Sequence, residues 1–296
     1  EFKKNFSKIN PLICFSVKSN NNLNILKIIK NFGLGADVVS KGELLRALKA
    51  GIKPQKIVFS GVGKTPDEIS FAIQKKILLI NAESENELKI IQKIAYKKKK
   101  KIDVGLRLNP NIDAKTLRKI STGRNEDKFG ISDKSFVKLL KKFHNSKNIN
   151  IKCLSVHIGS QILDYRPYSK MVSVIDNIIK KTKYKFDYID LGGGMGIDYH
   201  SNSKKLDYKK YSLVIKNFLK KHKVKIIFEP GRSIIGDTGT LLSKVIYIKD
   251  NERKNKNMLL FLIQALVSRD NFSAVFWIEF LGTSNISELC LLLKVH

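Results

Sequence analysis

This sequence lacks most of what marks an exported, membrane-embedded or metal-stapled protein. Its 296 residues include three cysteines, Cys14, Cys153 and Cys290, far apart and without a CxxC pair. That excludes a disulfide framework and points to free thiols in a reducing compartment. No signal peptide is present, and no apolar run is long enough to span a bilayer. The run Met258 to Val267, about ten residues, suits a core segment better. The expectation is therefore a cytoplasmic chain with no membrane partner. His144, His200, His222 and His296 have no ligand-like spacing among themselves, so no metal site is expected. Acidic residues are scarce: 26 Asp and Glu stand against 56 Lys and Arg, a formal net charge of +30. Such a balance suits an anionic partner. The lysines, however, are spread along the helices, with one dense run at Lys97 to Lys101 between a helix pattern and a strand pattern. No aromatic-rich RNA motif accompanies them. Compositional drift with a solvated face is the preferred reading, with no specific nucleic-acid partner and at most loose nonspecific binding.

What is present is enough chain for one large domain and part of a second, with an ordinary hydrophobic fraction of 43%. Short apolar runs alternate with segments of helical period. The runs are Leu12–Val17, Ala36–Val39, Lys56–Phe59, Ile77–Ile80, Ile102–Leu108, Ile151–Val156, Phe186–Leu191 and Val224–Phe228. Between them fall helices such as Leu23–Asn31, Gly42–Ala50, Pro66–Lys75, Glu85–Tyr96, Asp133–Phe143, Tyr168–Lys181 and Tyr208–His222. Val- and Ile-rich runs with little alternation suit strands buried on both faces, and strands alternating with helices give a parallel sheet. About eight such steps predict an α/β fold of the (β/α)8 TIM-barrel type over residues 10–235, an open doubly wound sheet being the competitor. Residues 236–257, with Thr240–Lys249 as a strand, read as the start of an all-β domain. Residues 258–296 read as an atypical tail. The chain opens on Glu1 close to a strand, which reads as a fragment whose start lies upstream.

In a barrel, chemistry gathers where the strands end. Here those positions hold Lys18, Ser40, Ser60-Gly61-Val62-Gly63, Asn81, Arg107, His157, Gly192-Gly193-Gly194 and Glu229-Pro230-Gly231-Arg232. Three consecutive glycines allow close backbone approach and can present N–H groups to an anion, although a tight turn explains them as well. Arg232 in the neighbouring loop tips that reading toward phosphate or carboxylate. Glu229 ends a buried strand and needs a partner there. That partner is either Arg232, as a structural ion pair, or a protonated ring nitrogen of the kind that makes pyridoxal phosphate (PLP) an electron sink. Any one lysine in this chain is by default a surface charge. Lys18 instead follows an apolar strand at the catalytic end, where its amine can join an aldehyde. His157 is either a satisfied core histidine or a ring that stacks on a cofactor, with Ser160 nearby as a phosphate donor.

Together the segments CFSVKSN (14–20), ADVVSKGEL (36–44), IVFSGVGK (57–64), LRLNPNIDA (106–114), ISTGRNEDKFGI (120–131), VHIGSQI (156–162), DLGGGMGI (190–197) and FEPGRSII (228–235) resemble the diaminopimelate decarboxylase family. That family belongs to the alanine-racemase-like group of PLP enzymes, and the resemblance covers roughly Pro11 to Asp250. It implies that Lys18 carries PLP covalently and His157 stacks on the ring, these two being the catalytic pair. It implies that Ser160, Gly193, Gly194 and the Glu229, Pro230, Gly231, Arg232 loop hold the phosphate. Glu229 would also pair the ring nitrogen, and Arg232 would touch substrate. Asp37, Glu43 and Arg107 would support Lys18 and the ring. The implied reaction removes the carboxylate at the D-centre of meso-2,6-diaminopimelate, giving L-lysine and CO2, in a homodimer. Ornithine and arginine decarboxylases share the lysine, the glycine turn and EPGR, while HIGSQ, GVGK and ISTG…KFGI look more like the diaminopimelate branch.

The family's later motifs, a Cys-Glu segment and a substrate-binding Arg and Tyr, are not found after Asn257. Cys290 in Glu288-Leu289-Cys290-Leu291 has the wrong order to replace them. The expectation is impaired turnover by this chain alone, or a non-catalytic PLP-binding remnant. A racemase of the same barrel group fits less well.

Overall fold

The computed structural model describes residues 2–114, 122–123, 129–199 and 205–238, together with the backbone of Leu241–Lys244 and Cys290–Leu293. Most of the proposed tail, and most of the 120–128 part of the ISTG motif, fall outside the described residues. The chain divides into two compact units, Glu1–Ile235 and Gly236–His296.

The first unit is a closed barrel of parallel strands in sequential order: β1 (Leu12–Ser16), β2 (Gly35–Val38), β3 (Ile57–Phe59), β4 (Leu79–Ala82), β5 (Ile102–Arg107), β6 (Ile149–Ser155), β7 (Tyr188–Asp190) and β8 (Lys225–Phe228). β8 closes on β1 through Leu12↔Ile227 and Ile13↔Phe228, so no edge strand is left exposed. The barrel, rather than the open sheet, is the observed fold.

Helices α2 (Leu23–Asn31), α3 (Lys41–Lys49), α4 (Pro66–Lys75), α5 (Glu85–Lys97), α6 (Asp133–Phe143), α7 (Tyr165–Thr182) and α8 (Tyr208–Leu219) lie between strands. A four-residue α1 (Phe2–Asn5) precedes β1, and α9 (Arg232–Ile235) follows β8. Their starts are written in the sequence. Asn22, Ser40, Thr65, Ser84, Asp164 and Asp207 each accept a backbone N–H from the first turn of the helix that follows, satisfying donors the helix cannot. Thr65 and Glu68 form a complete capping box with Pro66 at the first helical position.

The barrel interior follows a two-residue step. One layer holds Cys14, Val58, Leu79, Cys153 and Ile227, packed with Tyr188. Two residues further along the same strands come Ser16, Ser60, Asn81, Ser155, Glu229 and Asp190, all buried and polar. Side chains of one face recur every second residue in a strand. The barrel therefore has an apolar floor and a polar ceiling, and the ceiling lies at the C-terminal ends of the strands. The thiols of Cys14 and Cys153 are free and buried, and burial pushes both above the usual thiol range.

The second unit shows β9 (Leu241–Lys244) antiparallel to β10 (Cys290–Leu293), in the register Cys290↔Lys244 to Leu293↔Leu241. β9 falls inside the predicted strand Thr240–Lys249, and the rest of that stretch lies outside the described residues.

Candidate active site at the mouth of the barrel

Hydrogen bonds knit the polar ceiling together. Ser16 Oγ donates to Asp37 Oδ2 at 2.6 Å and contacts the Glu229 carbonyl at 3.3 Å. Ser60 Oγ donates to Glu229 Oε1 at 3.2 Å. Asn81 Nδ2 reaches Ser60, Ser155 and Asp190, the last at 3.0 Å. Asp190 also accepts from Ser155 Oγ at 3.3 Å and, through Oδ1, from the Gly192 N–H at 3.0 Å. Three carboxyls, Asp37, Asp190 and Glu229, thus share one small interior. Burial raises Glu229 well above its ordinary range, and the charges of Asp190 and Asp37 raise it further. Burial likewise raises Asp190 to about 6. Like charges in a low-dielectric interior resist ionising together, so Asp190 and Glu229 titrate as a pair.

Lys18 lies in a single 3-10 turn, Val17–Ser19, just beyond β1 rather than in the strand itself. The turn closes because Ser19 Oγ donates to the Ser16 carbonyl at 2.6 Å. It leaves the Lys18 side chain 56% exposed, with Nζ 3.8 Å from Asp37 Oδ2. The Glu229–Arg232 loop packs directly over this turn. Ser16 N–H donates to the Pro230 carbonyl at 3.0 Å, and a Cβ on Gly231 would stand 3.1 Å from Ser16 Cβ and from Ser19 Oγ. On its other side the loop meets the glycine turn, where Glu229 N–H donates to the Gly192 carbonyl at 2.8 Å. Lys18, Glu229 and Gly192–Gly194 therefore belong to one hydrogen-bonded surface.

The glycine turn could not be built from other residues. Gly192 and Gly194 have φ of +63° and +87°, where side chains are strained. A Cβ on Gly193 would stand 2.1 Å from the Glu229 carbonyl oxygen, and one on Gly194 2.2 Å from that of Gly159. Gly194 is in turn bonded to the loop that carries Ser160, because Ile162 N–H donates to its carbonyl at 2.9 Å. Tyr168, fully buried and stacked on Tyr211 at 4.4 Å, braces the turn by donating to the Gly193 carbonyl at 3.1 Å.

His157 stands two residues beyond β6, and its Nδ1 accepts the Gly193 N–H at 3.2 Å. This bond assigns the ring proton to Nε2. It also uses the Gly193 N–H, so what Gly193 contributes is close backbone approach. Burial drives His157 well below the usual imidazole range, and the Arg107 and Lys18 charges lower it further. The ring is neutral at physiological pH. Thr122 Oγ1 holds the His157 carbonyl at 3.0 Å.

Several sequence-predicted roles are modified by the geometry. Glu43 caps α3: its Oε2 accepts the Val39 N–H at 2.9 Å, while Ser40 accepts its N–H at 3.2 Å. Burial raises the Glu43 carboxyl, the bond from Val39 partly offsetting it. Arg107, at the end of β5, pairs with Glu83 at 2.9 Å and lies 5.1 Å over the Phe129 ring. Arg232 does not pair with Glu229. Its Nη1 donates to the Tyr199 hydroxyl, and the guanidinium lies 5.5 Å over the same ring. Asn81 lies within β4 rather than after it. Sequence reading missed Asp190, Glu83 and Tyr199. The i, i+2 step from Tyr188 would have found Asp190; Glu83 and Tyr199 carry no comparable signal.

The donor set fits PLP. Asp37 Oδ1 and Ser233 Oγ are buried with no hydrogen-bond partner among the described residues. The first belongs to the carboxyl whose other oxygen lies 3.8 Å from the Lys18 amine, and the second to the residue that follows Arg232. Among the described residues no cluster of metal-ligating side chains occurs, and no helix is long and apolar enough to cross a membrane.

A parallel barrel with a lysine, a buried acid and a glycine turn at one mouth defines a cofactor-binding barrel of the pyridoxal class. The family described as "Pyridoxal-dependent decarboxylase, pyridoxal binding domain" matches residues 1–236. The chain belongs to this family, whose cofactor is PLP. A diaminopimelate decarboxylase of Aquifex aeolicus is 41% identical over 248 residues, covering 82% of this chain and 59% of that protein. That of Neisseria meningitidis serogroup B is 37% identical over 96% of this chain and 69% of its own length. The crystal structure of Helicobacter pylori diaminopimelate decarboxylase complexed with L-lysine superposes with a TM-score of 0.81 at 39% identity. It matches 88% of this chain and 66% of that one. The chain thus spans about 59% to 69% of the length of these relatives.

Proposed function

We propose that this chain is the cofactor-binding barrel of a diaminopimelate decarboxylase, which removes the D-centre carboxylate of meso-2,6-diaminopimelate to give L-lysine and CO2. The observation that carries the reading is the joining of the Lys18 turn, the Gly192–Gly194 turn and the Glu229 loop by the Ser16–Pro230 and Glu229–Gly192 bonds. In this reading Lys18 holds PLP through its amine, and Asp37 at 3.8 Å orients that amine. The glycine turn, Ser160 and the loop of Pro230, Gly231 and Arg232 hold the phosphate. Glu229 faces the ring nitrogen.

Bound there, PLP supplies the electron sink that lets a carbon–carboxylate bond break. The chain's own residues prepare that step. Glu229, whose carboxyl is held protonated by burial and by the Asp190 and Asp37 charges, would face the ring nitrogen and could pass its proton to it. His157, kept neutral by burial and by the Arg107 and Lys18 charges, offers an aromatic face without adding a third cation. Arg232, tethered by Tyr199, is a planar fork suited to a substrate carboxylate. The homodimer and the cytoplasm implied by the family resemblance belong to this proposal. Sedimentation of the purified chain tests the dimer.

The decisive test is the absorption spectrum with PLP. The wild-type chain is expected to show a Schiff-base band that K18A abolishes, and a band that survives K18A rejects the assignment. Product analysis with meso-diaminopimelate, ornithine and arginine tests the substrate: impaired but detectable lysine formation from the first alone supports the proposal, and turnover of either other amino acid in its place overturns it.

A further inference from the structure

Glu83 organises the β3–β5 side of the mouth. Its Oε1 accepts from Arg107 Nη1 at 2.9 Å and from the Gly61 N–H at 3.2 Å. Its Oε2 accepts from the Gly130 N–H at 3.2 Å. One carboxylate thus ties three strand-end segments to the arginine whose charge reaches His157. Behind Glu83 lies a second acid. Glu87 Oε2 accepts the Glu83 N–H at 2.8 Å, while Glu87 Oε1 pairs with Lys64 Nζ at 2.5 Å. The Lys64 side chain is wholly buried and also donates to the Gly61 carbonyl. The circuit closes on itself: Lys64 to Glu87 to Glu83 to Gly61 and back to Lys64. It holds one cation and two anions, and Arg107 joins it from outside through Glu83. A lysine in this chain is ordinarily a solvated charge, so a fully buried one needs a specific partner.

We propose that Lys64 is a positioning residue that fixes the Arg107 guanidinium at the end of β5, acting through Glu87 and Glu83. Lys64 occupies one oxygen of Glu87, which leaves the other for the Glu83 backbone. The Glu83 side chain then has a single placement, with both oxygens taken. Removing the Lys64 charge leaves Glu87 as an unpaired buried anion, and the Glu83 backbone that it holds loses its fixed place. This inference rests on reading the mouth as the PLP site, but its primary readout uses the cofactor-free chain, so it can fail while the Lys18 test succeeds.

The experiment is nitrogen-15 NMR of the Arg107 guanidinium together with PLP affinity by absorbance titration, on K64M and K64M/E87Q. In the wild type, Glu83 restrains the guanidinium, and separate Nη signals are expected. In K64M these should merge by rotation, and the PLP dissociation constant should rise at least about fivefold. In the double variant the stray charge is gone, and the Gln amide oxygen is free for the Glu83 N–H. Separate signals and wild-type affinity should return. A folded K64M with unchanged Arg107 signals overturns the proposal, as does a double variant that fails to restore them. If K64M does not fold, E87Q decides: one amide oxygen then serves two donors, and merged signals are expected. Wild-type signals in folded E87Q overturn the proposal. If E87Q does not fold either, the buried pair serves folding rather than the placement of Arg107, and the proposal is overturned.

Discussion

Asp190 has one oxygen on the glycine turn and the other among Asn81 and Ser155, so it links the phosphate end of the site to the acid at the ring end. Its carboxyl is raised by burial to about 6, and this contributes a pH dependence with a definite sign. A carboxyl whose folded pKa exceeds its unfolded value binds more protons in the folded state between the two. Stability is therefore fully present below about pH 4 and is lost as pH rises through about 6, at up to about 1.4 kcal/mol per pH unit. Surface acids pull the other way, but lower down. Asp176 is held at about 2 by Lys180 and His222 against the cost of burial, and Glu85 at about 2 by Lys142 and Lys89. Their contribution is lost only as pH falls below about 4. Across pH 4.5 to pH 6.5 the raised Glu229 acts in the same direction and the lowered His157 in the opposite one, so the urea midpoint of cofactor-free wild-type chain should fall relative to that of D190N. In D190N the amide cannot ionise, while its oxygen still accepts the Gly192 N–H. An identical slope in both proteins would show that Asp190 is not the group that titrates.

At the scale of elements, the barrel was legible because two periodicities alternate cleanly. Short apolar strands and amphipathic helices follow one another, and six of the helix starts carry their own side-chain cap, as Thr65, Pro66 and Glu68 do for α4. Strand ends were legible too, because polar residues following apolar runs have to face something. What the pattern hid was the difference between ending a strand and pointing into the barrel. Tyr188 and Asp190 are two apart on β7, one on the apolar floor and one in the polar ceiling, and only the i, i+2 step between them marks Asp190 as facing inward. Glu43 illustrates the converse. It follows a strand end as a catalytic acid would, yet its hydrogen bonds are those of a helix cap. Glu83 and Tyr199 depend on contacts 24 and 33 residues away, which no local pattern encodes. The glycine turn gives the element-scale prediction. G194A forces an L-residue to φ of +87° and places its Cβ 2.2 Å from the Gly159 carbonyl. The left-handed backbone costs about 1–2 kcal/mol and the forced shift about 1–3 more. Thermal unfolding should fall accordingly, and PLP affinity with it. By contrast T65A, which removes only the α4 cap, should cost about 1 kcal/mol and leave PLP affinity unchanged. Equal losses of affinity in the two variants would mean that the turn has no particular claim on the cofactor.

Over the whole molecule, charge is the least balanced property. The surplus of +30 is distributed over the helices, and ion pairs such as Lys89–Glu85, Lys180–Asp176 and Lys210–Asp207 neutralise it only locally. Salt acts on both terms in opposite directions. It weakens exposed pairs, each worth no more than about 1 kcal/mol, and it screens the mutual repulsion of the unpaired cations, which opposes the compact state. The unpaired charges far outnumber the pairs, and at a screening length of about 8 Å in 0.15 M salt most of their long-range repulsion is removed. The buried Lys64–Glu87 and Arg107–Glu83 pairs are shielded from salt and enter neither term. Repulsion should therefore win. The unfolding temperature is expected to rise as sodium chloride is taken from 10 mM to 150 mM, and the retention of the chain on a phosphate-bearing polyanion should fall steeply over the same range. A melting temperature that drops with added salt would mean that the surface pairs, not the excess of lysine, dominate the electrostatics of this barrel.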